Sequence, residues 1–451
     1  MATTPTLKAQ QRRVWISSYL GTTIEYYDFL LYGSAAALVF GPVFFSQLSP
    51  LLGTIVALAT LAAGYVARFA GAVIFGHYGD RLGRKKVMLV TMVTMGLCSG
   101  FIGLIPSYAA IGVAAPLVLV VLRLIQGLAV GGEYGGAVLM ASEHAGVRRR
   151  GLAASAATMG APSGAVIATG AMTLVATMDR EALLSWGWRV PFIASFLLLA
   201  LGLWFRARIE ESPVFLADVA RETAPVQRRS PIVELLRDHG GTVTKAVVVQ
   251  LASYTGQGVF GVFLVSYAPP LGYAPPLVLL TIMIGTLGSV FTTPVYAALS
   301  DRIGRKAVLI FGTVANGLVA YPLFLLINSG VTAVFVISVI VYLCFFMTPV
   351  TSVSAVMLSE LFPTEVRYTG VSASYQLAQT VGSGLGPLIA ASLLAAAGGT
   401  DTTLIAVYIG VLAILSLAVL LRMKETAGTS LRSTAADPTP DVDSAQPPVG
   451  A

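Results

Sequence analysis

Five ionisable side chains lie where this chain is otherwise apolar. Glu25, Asp28, Arg68, Arg123 and Glu133 each interrupt a long hydrophobic run. An ionised group at the centre of a lipid bilayer costs roughly 2.5–3.5 kcal/mol on insertion scales. Glu25 and Asp28 are three apart and Tyr32 is four further on, so the three share one helix face. Gln126 and Glu133 share a face of another run, with Arg123 one turn before Gln126. Turned inwards, these runs make a site of three acids and two bases. Such a site can bind or release a proton as its geometry changes. Buried ion pairs also serve as glue between helices, and Glu25 is nearest to that use, as a support for Asp28. Five such charges in one half of a chain favour function over glue.

The elements that must hold these residues follow from composition. Of 451 residues, 11% are charged and 56% hydrophobic, where a soluble chain carries about 25% charged. Twelve runs reach the ~20 apolar residues that a membrane span needs, the first at about 14–40 and the last at about 403–423. The 46 glycines suit helices that approach closely. The segments between spans alternate in charge. Of 28 Lys and Arg residues, 24 fall on one side, only Arg180 and Arg189 on the other, and Arg68 and Arg123 within spans. Basic loops stay in the cytoplasm, so both termini are expected there, in the plasma membrane. The net charge of +7 then needs no nucleic acid.

The expected fold is all-α: a polytopic membrane protein of twelve transmembrane helices in two six-helix bundles. A cytoplasmic N-terminus covers 1–13, the first bundle 14–207, a linker with charges of both signs 208–242, and the second bundle 243–424. A tail at 425–451, rich in Ala, Pro, Asp, Ser and Thr, is expected to be disordered.

The two halves echo each other. The stretch Gly76-His77-Tyr78-Gly79-Asp80-Arg81-Leu82-Gly83-Arg84-Lys85-Lys86 returns as Asp301-Arg302-Ile303-Gly304-Arg305-Lys306, 221 residues later. Ser142-Glu143 followed by Arg148-Arg149-Arg150-Gly151 returns as Ser359-Glu360 followed by Arg367-Tyr368-Thr369-Gly370. Such duplication is the mark of many transporters. Polar groups are sparser in the second half. Tyr254, Gln257, Gln376 and Gln379 are the candidates to touch substrate there, beside Tyr32 and Gln126 in the first half. Tyr267, Asn316, Tyr342 and Tyr375 complete the polar set.

Enzyme chemistry finds no footing. Gly382-Ser383-Gly384-Leu385-Gly386 looks like part of a dinucleotide loop, but it lies in an apolar run with no strand before it. Close helix packing accounts for it, and for Gly131, Gly132, Gly135 and Gly136. Cys98 and Cys344 sit inside apolar runs, and His77, His144 and His239 show no metal-ligand spacing. No metal or cofactor is expected; the expected driving force is a proton gradient.

The chain resembles the major facilitator superfamily, and within it the metabolite:proton symporters. The resemblance spans nearly all of 14–425. It rests on Gly76 to Lys86, on Glu25-Tyr26-Tyr27-Asp28-Phe29, and on Arg123-Leu124-Ile125-Gln126-Gly127 through Gly131-Gly132-Glu133-Tyr134-Gly135-Gly136. It rests also on Trp186-Gly187-Trp188-Arg189-Val190-Pro191-Phe192 and on Glu360 to Gly370. Phe69-Ala70-Gly71 departs from the family's usual Pro-Leu-Gly after the arginine. The resemblance implies a monomer with a central site that alternates between the two membrane faces. The expected function is proton-coupled uptake of a small organic anion or zwitterion. Asp28 is the first choice to carry the coupling proton and Glu133 the second. Arg123 would answer the carboxyl's charge, and Arg68 and Arg123 are candidates for a substrate carboxylate. Gly76, Asp80, Arg81, Gly83 and Arg84, with Asp301, Arg302, Gly304 and Arg305, are expected to form the gate. The resemblance implies Asp80 near the start of span eleven, Asp301 near the start of span five around Gly151, and Arg84 close to Glu143. An exporter, a uniporter and a solute sensor are the rivals; the connecting loop and tail are short for a sensor's output domain.

If Asp80 latches the gate, Asp80→Asn slows transport severalfold and leaves substrate affinity nearly unchanged. Kinetics of uptake test this: a large loss of affinity with normal turnover contradicts the assignment.

Overall fold

A computed structural model describes residues 7–82, 84–131, 150–207, 231–363 and 366–428. Inside lipid a backbone must satisfy its own hydrogen bonds, and the apolar runs do so as helices. The first half holds α1 (Leu7–Ala35, continued to Phe44), α2 (Pro50–Leu82), α3 (Arg84–Ile102), α4 (Ala114–Val130), α5 (Arg150–Ala176) and α6 (Arg189–Ala207). The second holds α7 (Pro231–Gly258, continued to Tyr267), α8 (Pro275–Ile303), α9 (Arg305–Ile327), α10 (Thr332–Val341, continued to Leu361), α11 (Arg367–Gln379, continued to Ala396) and α12 (Thr403–Arg422). Ten contain stretches long and apolar enough to cross a membrane alone; α3 and α4 contribute the shorter stretches Leu89–Ile102 and Ala114–Val130. No strand occurs among the described residues.

Three boundaries differ from the sequence reading. The charged stretch expected as a loop is helical through Leu82, and α3 begins at Arg84. The expected linker at 208–242 is shorter, because α7 starts at Pro231, a proline in the first turn, where its missing N–H costs nothing. Glu425 to Gly428 are ordered, since Glu425 hydrogen-bonds back onto the bundle.

Glycines set the crossing of α2 and α4. A Cβ at Gly127 would fall on the carbonyl oxygen of Gly64, one at Gly131 on that of Arg68, and one at Gly71 on that of Leu128. Gly164 brings α5 onto the Thr23 carbonyl of α1 in the same way. Between the halves α5 runs along α8, and α2 lies against α11. There Thr380 Oγ1 donates to the Tyr65 carbonyl at 2.8 Å.

Five π turns occur among the described residues: Ala36–Phe40, Val259–Phe263, Tyr342–Met347 and Thr380–Gly384 inside spans, and Leu183–Gly187 just before α6. A π turn leaves carbonyls without their regular helix partners. In α10 four successive carbonyls receive side-chain donors from α8 and α9. Ser289 reaches Leu343 O at 2.9 Å, Thr292 reaches Cys344 O at 2.8 Å, Tyr296 reaches Phe345 O at 3.1 Å and Asn316 reaches Phe346 O at 3.0 Å.

At the end of the molecule away from the charged repeats, Trp188 is fully buried against Phe40, Phe44 and Phe192 at centroid distances of 5.6–5.9 Å. Arg189 donates to the Gly103 and Ile105 carbonyls at 3.0 and 2.6 Å, closing the end of α3. The Trp-Gly-Trp-Arg stretch thus serves structure.

Gly127→Leu forces α4 off α2 and should cost at least about 1–3 kcal/mol, the usual range for overpacking. The check is the yield of monodisperse protein after detergent extraction, which should fall severalfold. The same change at Gly240, where a Cβ meets nothing within 4 Å, should leave the yield unchanged.

Candidate functional site

Three arrangements carry the chemistry. The first is a charge cluster inside the first half. Glu25, Asp28, Arg68 and Arg123 are all at most 1% exposed. Arg68 Nη2 meets Glu25 Oε1 at 3.3 Å. Its guanidinium carbon lies 3.4 Å from the centre of the Phe29 ring, and that of Arg123 lies 4.0 Å from the same ring. Arg123 also lies 4.1 Å from the Tyr32 ring, and Arg68 5.0 Å from that of Tyr65. Arg123 Nη1 donates to Gln126 Oε1 at 2.6 Å, and Gln126 Nε2 donates to Ser99 Oγ at 2.6 Å. Asp28 Oδ1 accepts from Ser195 Oγ at 2.8 Å. Asp28 Oδ2 is buried without a hydrogen-bond partner, as are Arg123 Nε and Nη2. The carboxylate and the guanidinium are held by different neighbours and are not bonded to each other.

Helix geometry explains the grouping. Glu25, Asp28, Phe29 and Tyr32 occupy one stripe of α1. Gly64 is small enough for the Arg123 side chain to cross α2, since a Cβ there would collide with it. Tyr32 hydroxyl meets Thr60 Oγ1 at 2.6 Å, so it braces α1 on α2. Sequence reasoning found the four charges, Tyr32 and Gln126. It missed Phe29, Tyr65, Ser99 and Ser195, which are unremarkable residues in apolar runs. Glu133 lies outside the described residues.

The second arrangement is on the face that bears the charged repeats. Asp301, at the end of α8, accepts from the backbone N–H groups of Gly151 and Leu152 at 3.0 and 3.1 Å. A carboxylate from the second half thus caps α5 of the first, where the helix dipole favours an anion. Arg305 Nη1 meets Asp301 Oδ1 at 2.6 Å and Nη2 meets Glu360 Oε1 at 3.3 Å. Gly304 makes the turn between α8 and α9 with φ of +95°, a backbone conformation that suits glycine. Glu425 accepts from the Arg305 and Lys306 N–H groups at 2.9 and 3.1 Å. Partial burial alone would raise the Glu425 carboxyl, but four backbone N–H donors outweigh it and hold the group below the usual carboxylate range. Lys306 Nζ reaches the Leu421 and Met423 carbonyls, both at 2.9 Å, at the end of α12. Gly76, Asp80, Arg81 and Arg84 have helical backbone, but their side chains lie outside the described residues, as do Gly83 and Glu143. Arg302 lies in the last turn of α8 and is in no ion pair that joins the described residues.

The third arrangement is a cavity of about 70 Å³ between the halves, lined from α1, α5, α7, α8, α10 and α11. Tyr254, Gln257 and Gln379 line it; so do Tyr26 and Tyr375. The hydroxyls of Tyr26 and Tyr375 meet across the two halves, and Gln379 Nε2 donates to them at 3.1 and 2.9 Å. Gln376 is fully buried away from the cavity lining, with both amide atoms unpaired. Arg68, Arg123, Tyr32 and Gln126 do not line the cavity either: they lie behind its wall, in the first half.

Two repeated helical bundles around a central cavity lined by tyrosines, threonines and glutamines, with charge buried beside it, have the architecture of a membrane transporter. The family model described as "Sugar (and other) transporter" matches residues 14–230, and that of the Major Facilitator Superfamily matches residues 246–446. The chain is 37% identical to the shikimate transporter of Escherichia coli strain K12, over 93% of this chain and 95% of that one. It is 38% identical to the inner membrane metabolite transport protein YhjE of the same organism, over 93% and 96%. A proline/betaine transporter of Salmonella typhimurium is 34% identical, over 93% and 85%. The chain therefore belongs to the major facilitator superfamily, among its metabolite transporters. Solved structures agree on the fold. The proton:xylose symporter XylE bound to 6-bromo-6-deoxy-D-glucose superposes with a TM-score of 0.73 at 18% identity, over 94% of this chain and 98% of that one. The partially occluded inward-open xylose transporter XylE from E. coli gives 0.72 at 20%, over 94% and 100%.

Arg305→Ala breaks a buried ion pair, a change that typically costs about 3–5 kcal/mol. The thermal unfolding midpoint in detergent should drop clearly. Arg305→Lys keeps the charge without the two-way fork and should fall between the two.

Proposed function

We propose that this protein is a proton-coupled symporter that imports a small organic acid or zwitterion by alternating access. The half-bonded Asp28 beside a half-bonded Arg123 carries this reading. A buried carboxylate with one empty acceptor site, near a guanidinium with unspent donors, is a pair that a proton can make or break. Protonated, Asp28 has no charge to balance: Oδ1 keeps the Ser195 bond, the new O–H turns to the neighbouring Ser99, and Arg123 stays on Gln126, Phe29 and Tyr32. Deprotonated, its free oxygen attracts Arg123 away from Gln126. Tyr26 stands two residues before Asp28 on α1 and lines the cavity, so a shift of α1 reaches the substrate. Arg68 and Arg123 then manage charge within the first bundle and do not grip a substrate carboxylate.

The substrate class is supported by the relatives named for shikimate, proline and betaine. The distribution of Lys and Arg supports a plasma-membrane protein with both termini and the gate face in the cytoplasm. Asp301 on the start of α5 then acts as an inner latch, with Asp80 as its counterpart. The working unit is taken as a monomer that needs only substrate, protons and the bilayer. Export and uniport are the alternatives within the fold, and solute sensing without flux is the alternative outside it.

The test uses proteoliposomes with an imposed proton gradient and radiolabelled shikimate and proline. Gradient-driven accumulation of at least one is expected. Asp28→Asn should reduce it tenfold or more while counterflow exchange persists. Accumulation at the parental level would remove Asp28 from the coupling role, and counterflow without any accumulation in the parent would favour uniport.

A further inference from the structure

The wall of the cavity has a chemical bias of its own. None of its lining residues is Asp, Glu, Lys, Arg or His among the described residues. The nearby cations, Arg68 and Arg123, lie behind the wall against Phe29 and are not among the lining residues. An anion entering here finds no counter-ion, and a charge taken out of water needs one.

The hydroxyls add to the bias. Thr158 donates its proton to the Ser155 carbonyl at 3.1 Å, and Thr293 to the Ser289 carbonyl at 2.7 Å. Thr351 donates to the Thr348 carbonyl at 3.1 Å, and Ser289 is turned to the Gly285 and Leu343 carbonyls at 3.2 and 2.9 Å. A hydroxyl has one proton and two lone pairs. These four have spent the proton on the backbone, so they offer the cavity lone pairs only. Thr169 and Thr286 remain able to turn either way. Of the Tyr26 and Tyr375 protons, one is used between the two phenols. Ser383 Oγ shares its one proton between the Tyr254 carbonyl at 3.0 Å and Gln257 Oε1 at 3.1 Å, which leaves the Gln257 amide N–H groups as donors. Acceptors therefore outnumber donors, and the rings of Tyr26, Tyr254 and Tyr375 add electron-rich faces.

We infer that the cavity receives its substrate as a species without net negative charge, held through hydrogen-bond donors that the substrate supplies. Ammonium groups and the hydroxyls of a polyol share that chemistry. A carboxylate enters only when a proton, or a cation on the same molecule, balances it. The inference rests on reading this cavity as the substrate site.

Purified protein in detergent, with no gradient, tests it by thermal shift at pH 8. The probes are methyl shikimate (a neutral polyol), proline (a zwitterion whose ammonium N–H groups donate), and the anions shikimate and succinate. Methyl shikimate or proline should stabilise the protein at concentrations at least tenfold lower than either anion. A response to methyl shikimate alone marks hydroxyl donors, and one to proline alone marks ammonium donors. An anion that binds as well as the neutral and zwitterionic probes overturns the inference, and so does silence from both of those up to millimolar concentration. Gly261 lines the cavity, and a Cβ there meets nothing within 4 Å. Gly261→Trp should therefore erase the shift while the ligand-free midpoint stays within a few degrees of the parent. A shift that survives Gly261→Trp places the ligand elsewhere and removes the cavity as the substrate site. Proton coupling is decided separately, by the accumulation measurement.

Discussion

Lipid cannot solvate a charge, and the interior of the first bundle is arranged around that fact. Two guanidinium groups lie against a single phenylalanine ring, Phe29, which gives each a partner without neutralising it. Glu25 takes up part of Arg68, and Gln126 takes up part of Arg123. Asp28 is left half-satisfied beside them. The glycine crossing of α2 and α4 exists in the same region because a bulky side chain at Gly64 would displace Arg123. Packing and electrostatics are here one constraint: the helices come close where the charges need them close.

The face with the charged repeats solves a different problem. Charges there can reach water, so burying them is a choice and not a necessity. Asp301 and Glu425 are both spent on helix starts, Asp301 on α5 across the bundle boundary and Glu425 on α9 within its own half. One bond set joins the halves and the other keeps the second half rigid. Arg305, held between Asp301 and Glu360, links the two sets. A contact built from helix ends moves as the helices move, so it can part without unfolding anything.

Much of this was legible in the sequence because the signals are extreme. Charges in apolar runs, a 221-residue echo and one-sided Lys and Arg are hard to produce by accident. Phe29, Tyr65, Ser99 and Ser195 were invisible, since an apolar residue or a serine in a membrane helix is ordinary and only its neighbours give it a task. Arg68 and Arg123 were read as substrate ligands because charge suggests binding. Their depth behind the cavity wall depends on helix rotation, which periodicity does not fix when a helix is apolar all round. The helical start of α7 at Pro231 was missed because Glu234, Arg237 and Asp238 make the segment look like linker. The order of Glu425 was missed because a single capping carboxylate at the head of a polar segment has no pattern.

The π turns of α1 and α7 carry a record of ancestry. They begin at Ala36 and Val259, 223 residues apart, almost the spacing of the charged repeats. A wide turn holds an extra residue per turn, and a residue gained in one half has no mechanical means of appearing in the other. Matching turns in both halves are most economically explained by a single insertion in an ancestral half-length chain, copied when that chain was doubled. The charged cluster of α1, α2 and α4 occurs in one half alone, so the doubled geometry now encloses two different interiors.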